Sequence, residues 1–319
     1  MNFSHLRTPR KRTIMNFEPF LSHLEVNRAC SAETIRAYRS DLKMFETFLQ
    51  ENSIRRLSQV KCSTIKDFID YMRQKPNPRF EKVGLSDSSI SRRLAAVSGY
   101  FEFVRATSDT KLRNPLSSMS MKWHHNKDPK PVDDLTLDLL ITGIDNIRDR
   151  TLMTLFLATG LRVSEMQQLN RDSIRIEVHV EETGKEVACG SGEVLGKGNK
   201  RRTFFVDEET LYLYCEYLET RIDENPALFL SERKQRMSVR AIQYTLDAWC
   251  KRLGAPHINV HRLRHSFATK LANTHINSFA LKDLMGHNSL STTQQYFKLT
   301  DTTLARAYFS AMEYLKPAR

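Results

Sequence analysis

Four short patterns in the second half of the chain carry side chains with chemistry to offer. Arg162 lies in Thr159-Gly160-Leu161-Arg162-Val163-Ser164-Glu165 and Lys197 in Leu195-Gly196-Lys197-Gly198-Asn199-Lys200. His261 and Arg264 lie in His261-Arg262-Leu263-Arg264-His265, and Gly286-His287 is followed by Tyr296. Singly, each has a plain structural explanation: a surface salt bridge, a hairpin turn, a polar helix face, a core aromatic. Together, in this order, they supply two guanidiniums, an ammonium, imidazoles and a phenol. Guanidiniums stay charged at any working pH and offer paired donors to the oxygens of an anion. A phosphodiester is such an anion. Its pentacoordinate transition state carries more negative charge than the ground state, so these contacts strengthen as reaction proceeds.

A tyrosine with its ordinary pKa near 10 needs roughly 4 kcal/mol to ionise at pH 7. A base or a cationic pocket must offset that. Helical spacing places His261, Arg264 and His265 on one face. His261 is the expected base or hydrogen-bond partner, and His265 is read as a packed structural histidine. Lys197, on a glycine-flanked turn, is the expected general acid for a leaving alkoxide. His287 can donate to a phosphate oxygen. Glu165, three residues beyond Arg162, can hold that guanidinium in place. Lys200, Arg201 and Arg202 are expected on flanking phosphates. Neither a P-loop nor a carboxylate cluster for Mg²⁺ is present, so no cofactor is expected. His257, His261 and His265 recur every four residues, but Pro256 and Asn259-Val260 place the helix start near His261, which argues against a zinc site there.

These side chains need a scaffold, and its periodicity is readable. Helical segments are expected at Leu135–Ile144, Asp149–Thr159 and after Gly160 through Leu169. Ile174, Ile176, Val178 and Val180 alternate with polar residues, as a strand does. Glu186–Leu195 and Lys200–Val206 read as two further strands, with residues 181–192 as an extended hairpin. Helix resumes from 208 onward, and Leu299–Leu315 reads as a last helix. The first half is helical throughout. Phe17, Phe20, Leu21 and Leu24 form one stripe, and Ile35, Tyr38, Leu42, Phe45 and Leu49 another. Ile65–Met72 is a third segment, and Ile90, Leu94, Val97, Phe101 and Val104 a fourth stripe. Ser31 and Ser86 are the expected helix caps. Arg36, Arg39, Arg92 and Arg93, on the polar faces, are expected contacts to a polyanionic partner. The fold class is therefore mainly α, with one small three-stranded antiparallel sheet. The expected organisation is a flexible basic arm at 1–13, a helical domain at 14–118, a linker at 119–131 and a catalytic domain at 132–319.

Charge points the same way. The chain has 319 residues and a net charge of +12. Residues 1–131 hold 24 Lys+Arg against 13 Asp+Glu, and residues 132–319 hold 25 against 24. The excess therefore sits in the first half, the footprint of a polyanion partner. No run approaches the roughly 20 apolar residues that span a bilayer. The five scattered cysteines include no C-x-x-C pair, as expected of reduced thiols in a cytoplasm.

The four patterns, in order, resemble those of the tyrosine recombinases, the phage-integrase and Xer type of site-specific DNA recombinase. The likeness covers nearly the whole chain. It implies a helical core-binding domain that clamps DNA, followed by the family's catalytic domain. By the same resemblance, Arg162, Lys197, His261, Arg264 and His287 are the catalytic set, Tyr296 is the nucleophile and Glu165 is a buttress. It further implies double-stranded DNA as partner, a 3′-phosphotyrosine intermediate, a Holliday junction and a tetrameric synapse linked by the C-terminal helix. Two alternatives remain open from the residues alone: a type IB topoisomerase, and a non-catalytic DNA-binding architectural protein.

Overall fold

Two compact units, residues 1–126 and 127–319, divide the chain. The computed structural model describes residues 15–28, 30–77, 82–108, 112–119, 131–180, 184–196, 200–274 and 276–297. The expected arm, most of the expected linker, Lys197 and the expected helix at 299–315 lie outside the described residues.

The first unit is built from α1 (Glu18–Arg28), α2 (Ala32–Glu51), α3 (Cys62–Gln74) and α4 (Asp87–Thr107). Ser31 Oγ accepts the Thr34 amide at 3.3 Å and Ser86 Oγ that of Ser89 at 3.3 Å, so both expected caps satisfy an otherwise unpaired N–H. The apolar stripes converge on one core in which Leu42, Phe45, Ile65, Phe68, Met72, Ile90 and Phe101 are fully buried. Between α3 and α4, β1 (Pro76–Asn77) and β2 (Lys82–Val83) form a minimal antiparallel ribbon.

In the second unit, α5 (Asp134–Gly143), α6 (Ile147–Thr159) and α7 (Val163–Gln168) precede a sheet of β3 (Arg175–Val180), β4 (Glu186–Leu195) and β5 (Arg201–Val206). The order is β3-β4-β5, antiparallel throughout, with Val178 opposite Ala188 and Gly192 opposite Phe204. There follow α8 (Glu208–Glu219), α9 (Val239–Arg252), α10 (Val260–Ala272), α11 (Ser278–Met285) and α12 (Leu290–Gln294). The core runs through Leu152, Leu155, Phe156, Phe204, Ile242, Leu246 and Leu263. Helix α6 is buried on most sides, packed by α8, α10 and β5. The alternation in β3 is genuine, yet its apolar residues do not reach this core. Ile176, Val178 and Val180 are 57–64% exposed, because β3 is an edge strand and α6, α8 and α11 pack on β4 and β5 instead.

Candidate active site

Two left-handed glycines set the frame. Gly160 closes α6 at φ +57°, and Gly286 closes α11 at φ +59°, a backbone region in which a side chain is strained. Each turn leaves a carbonyl free to accept an arginine. Gly160 O and Met285 O both accept from the Arg264 guanidinium. Gly286 O accepts from Arg162 Nη2 at 2.9 Å. A guanidinium has five N–H donors, so the two anchors on Arg264 leave it three, and Gly286 O leaves four on Arg162.

The break after Gly160 also starts α7. Glu165 Oε2 accepts the Arg162 amide at 2.7 Å, and Oε1 accepts Arg162 Nη1 at 2.7 Å. The same carboxylate takes Arg202 Nη2 at 2.7 Å. Glu165 is 3% exposed. Burial pushes its carboxyl up, but Arg202 and then Arg162 outweigh that and hold it below the usual range. Glu165 thus holds Arg162 on one side and a second arginine on the other.

Arg202 departs from expectation. Its side chain is only 6% exposed and is tied to Glu165 and Leu284 O, at the back of the cleft that Lys200 and Arg201 line. Strand alternation is the reason: Arg202 shares the inward face of β5 with Phe204 and Val206, while Arg201 and Thr203 point outward. That period-two signal was available in the sequence. Lys200 and Arg201 are exposed and line a cleft of about 480 Å³ with Lys282 and His287. In the first unit, Arg92 and Arg93 both turn toward Asp41, which is 1% exposed. The Arg93 side chain is only 13% exposed, so it serves the fold and is withdrawn from the surface. Arg39 pairs with Glu18, and Arg36 remains exposed on α2.

Helix α10, capped by Asn259, delivers the histidine-arginine pattern. Val260 and Leu263 go into the core, and the next inward position is Arg264, 3% exposed. Burial, then Arg162 and Arg202, push its guanidinium down to about 9, still charged at neutral pH. His257 lies before the helix and bonds Asp247 at 3.0 Å. His261 is exposed, and its ring meets that of His265 edge-on, with centroids 4.4 Å apart. The Tyr296 hydroxyl lies 2.7 Å from His265 Nδ1. This corrects the reading of His265 as a merely packed histidine, and places on it the contact expected of His261. Sequence carried one signal for it: His265 shares its face with His261 and Arg264.

Tyr296 follows α12, is 5% exposed and packs with Ala268, Leu281 and Met285. Its ring lies nearly parallel to that of His287, at 12° and 6.3 Å. His287 Nδ1 is fixed by Thr293 Oγ1 at 2.8 Å. Burial raises the phenol above its ordinary pKa, and the nearby Arg264 opposes that rise. His265 and His287 are each pushed down to about 4, by burial first and by neighbouring imidazole and guanidinium groups next. His261 is lowered for the same reasons. Two arginines, three histidines and one phenol therefore meet in one polypeptide, with the imidazoles neutral at pH 7.

Two outcomes follow from this geometry. A folded imidazole pushed below its ordinary value resists a proton that the unfolded chain accepts. The stability these groups contribute is complete above about pH 7 and is lost as pH falls toward 4. The lowered Glu165 adds a loss of the same sign as its own carboxyl protonates. The thermal midpoint of the DNA-free protein should fall steadily between pH 7 and pH 4; a flat profile would contradict the neutral histidines. Second, a Cβ at Gly286 would sit 2.6 Å from Arg202 Cδ and 3.4 Å from Arg162 Nη1, at positive φ. Gly286→Ala should destabilise the protein by more than about 1 kcal/mol and slow any reaction that depends on Arg162, as read by thermal midpoint and single-turnover rate.

The comparisons with known proteins agree with this fold. The model of the phage integrase family matches residues 134–303, and that of the phage integrase N-terminal SAM-like domain matches residues 17–107. The chain belongs to the phage integrase family, the tyrosine-type site-specific recombinases. Among curated relatives it is similar to the tyrosine recombinase XerC of Haemophilus influenzae, 33% identical over 92% of this chain and 95% of the relative. XerC of Actinobacillus succinogenes is 31% identical over 92% of this chain and 96% of the relative. In fold it resembles XerH bound to its difH substrate, with TM-score 0.67, 20% identity and coverage of 94% and 90% of the two chains. It also resembles the Tn1549 transposon integrase bound to circular-intermediate DNA, with TM-score 0.69, 19% identity and coverage of 91% and 98%.

Proposed function

We propose that the protein cleaves and rejoins duplex DNA at specific sites through a 3′-phosphotyrosine link to Tyr296. The observation that carries this reading is the Tyr296 hydroxyl buried in its own chain's cluster of Arg162, Arg264, His261, His265 and His287. The outward donors of Arg162 and Arg264 bind the non-bridging oxygens of the scissile phosphate. Tyr296 Oη attacks phosphorus in line, and the bond to the 5′-oxygen breaks. Lys197 protonates that leaving oxygen. His287, locked by Thr293, donates to a non-bridging oxygen, as does the exposed His261. Each donor matters because charge on those oxygens grows toward the transition state.

The phosphotyrosine conserves the energy of the phosphodiester, so a 5′-hydroxyl can reverse the step without ATP. Two such exchanges, performed by several copies on paired sites, pass through a Holliday junction. The C-terminal segment links the copies into a tetramer. Lys200, Arg201 and Arg36 take flanking phosphates. The biological task is resolution of DNA dimers or cointegrates, or integration of an element, in the cytoplasm.

A direct test begins with a duplex selected by the protein from a random pool. A nick placed beside each candidate cleavage position traps the adduct, because the short 5′-hydroxyl strand diffuses away. The full-length protein should become covalently attached without added metal, and mass spectrometry should locate the phosphate on Tyr296. An adduct on another residue, or none on a duplex that is demonstrably bound, would refute the reading.

A further inference from the structure

The Tyr296 hydroxyl is held by a histidine that the sequence patterns did not assign to it. Among the described residues the imidazole bonded to this phenol belongs to His265, at 2.7 Å, and not to His261. His261 sits one helical turn earlier, exposed, and touches His265 ring edge to ring face. We propose that His265 is the proton acceptor for Tyr296, its Nδ1 taking the phenolic hydrogen as Oη attacks phosphorus. The inference rests on Tyr296 being the nucleophile.

The step balances. The Oη–phosphorus bond forms, the bond from phosphorus to the 5′-oxygen breaks, and the phenolic proton passes to His265 Nδ1. The 5′-oxygen draws its proton separately, from Lys197. On rejoining, the 5′-hydroxyl attacks, Oη leaves, and His265 returns the proton to it. Acceptance at Nδ1 requires the ring to carry its own hydrogen on Nε2, the neutral tautomer. The surroundings favour that form: burial first, then His261 and Arg264 from the same helix, oppose a positive charge on this ring. A DNA phosphate entering between Arg162 and Arg264 adds negative charge beside it. That raises its proton affinity when the phenol must ionise. The geometry puts Nδ1 itself, 2.7 Å away, against the phenolic oxygen.

The test uses the full-length chain and the nicked, pool-selected duplex. In His265→Gln the amide oxygen can still accept the phenol's hydrogen bond but cannot take its proton. Single-turnover adduct formation should fall about 10²–10⁴-fold, with duplex affinity unchanged. Placing a fluorinated tyrosine, a stronger acid, at position 296 should restore much of that loss, and should not restore a His261→Gln chain. Adduct formation by His265→Gln at the wild-type rate, or a loss indifferent to fluorination, would overturn the inference. If His265→Gln loses duplex affinity, the fluorotyrosine chain with His265 intact decides. The acid-side limb of its pH–rate profile should stay where the unmodified chain has it; a limb that shifts with the phenol's acidity would overturn the inference. An unmodified chain that forms no adduct at Tyr296 would instead remove the reading on which the inference stands.

Discussion

Tyr296→Phe is expected to abolish covalent attachment to DNA while leaving binding and folding almost untouched. The hydroxyl is the attacking atom, so no residual rate is available from the remaining cations, which stabilise charge but cannot form the ester. The ring itself stays: phenylalanine fills the same space against Ala268, Leu281 and Met285. What the fold loses is the hydroxyl's bonding to His265 Nδ1 and to the Gln295 side chain, roughly 1 kcal/mol per bond. Affinity for the selected duplex comes from arginine and lysine contacts to phosphate and should keep its steep salt dependence. Adduct formation on the nicked duplex and a binding isotherm, run side by side, check both halves. Loss of binding together with cleavage would mean that Tyr296 serves architecture more than chemistry.

Glu165→Ala should be the most damaging single change to the stability of the second unit. The carboxylate is 3% exposed and is shared by Arg162 and Arg202. Its removal leaves the Arg202 guanidinium, whose side chain is 6% exposed, without its counter-charge. Breaking a buried pair by deleting one partner typically destabilises by about 3–5 kcal/mol. Cleavage should fall as well, since Arg162 then keeps only its bond to Gly286 O. Glu165→Gln retains the volume and one acceptor and should lie between the two in both assays. Thermal unfolding, with single-turnover cleavage measured well below the midpoint, separates the two effects. A midpoint within 1–2 °C of the parent protein, less than the roughly 2–4 °C expected per kcal/mol at this unit size, would show that the pair contributes little.

The expected helices and strands emerge where period was strong. The stripes Ile35–Leu49 and Ile90–Val104 turn to the core, with Tyr38 and Val104 partly buried at its edge, because a 3.6-residue repeat leaves an apolar face one place to go. Patterning was less informative where it had to decide between surfaces. Ile176, Val178 and Val180 have the alternation of a half-buried strand, yet whether a helix covers a strand depends on distant segments. The arginines show the same limit. Arg201 and Arg202 are neighbours in sequence, but one faces solvent and the other is locked to Glu165. Arg93 reads as a surface cation and is turned into Asp41.

The amino-acid sequence alone determined the class of fold, and it named the arginines, histidines and tyrosine worth watching, because residue type and order survive without coordinates. Only tertiary structure decided which imidazole meets the phenol. His261 and His265 lie on the same helical face, one turn apart, and nothing local distinguishes them. The choice was made by where α12 returns the chain to α10: it brings Tyr296 within 2.7 Å of His265 Nδ1 and leaves His261 exposed.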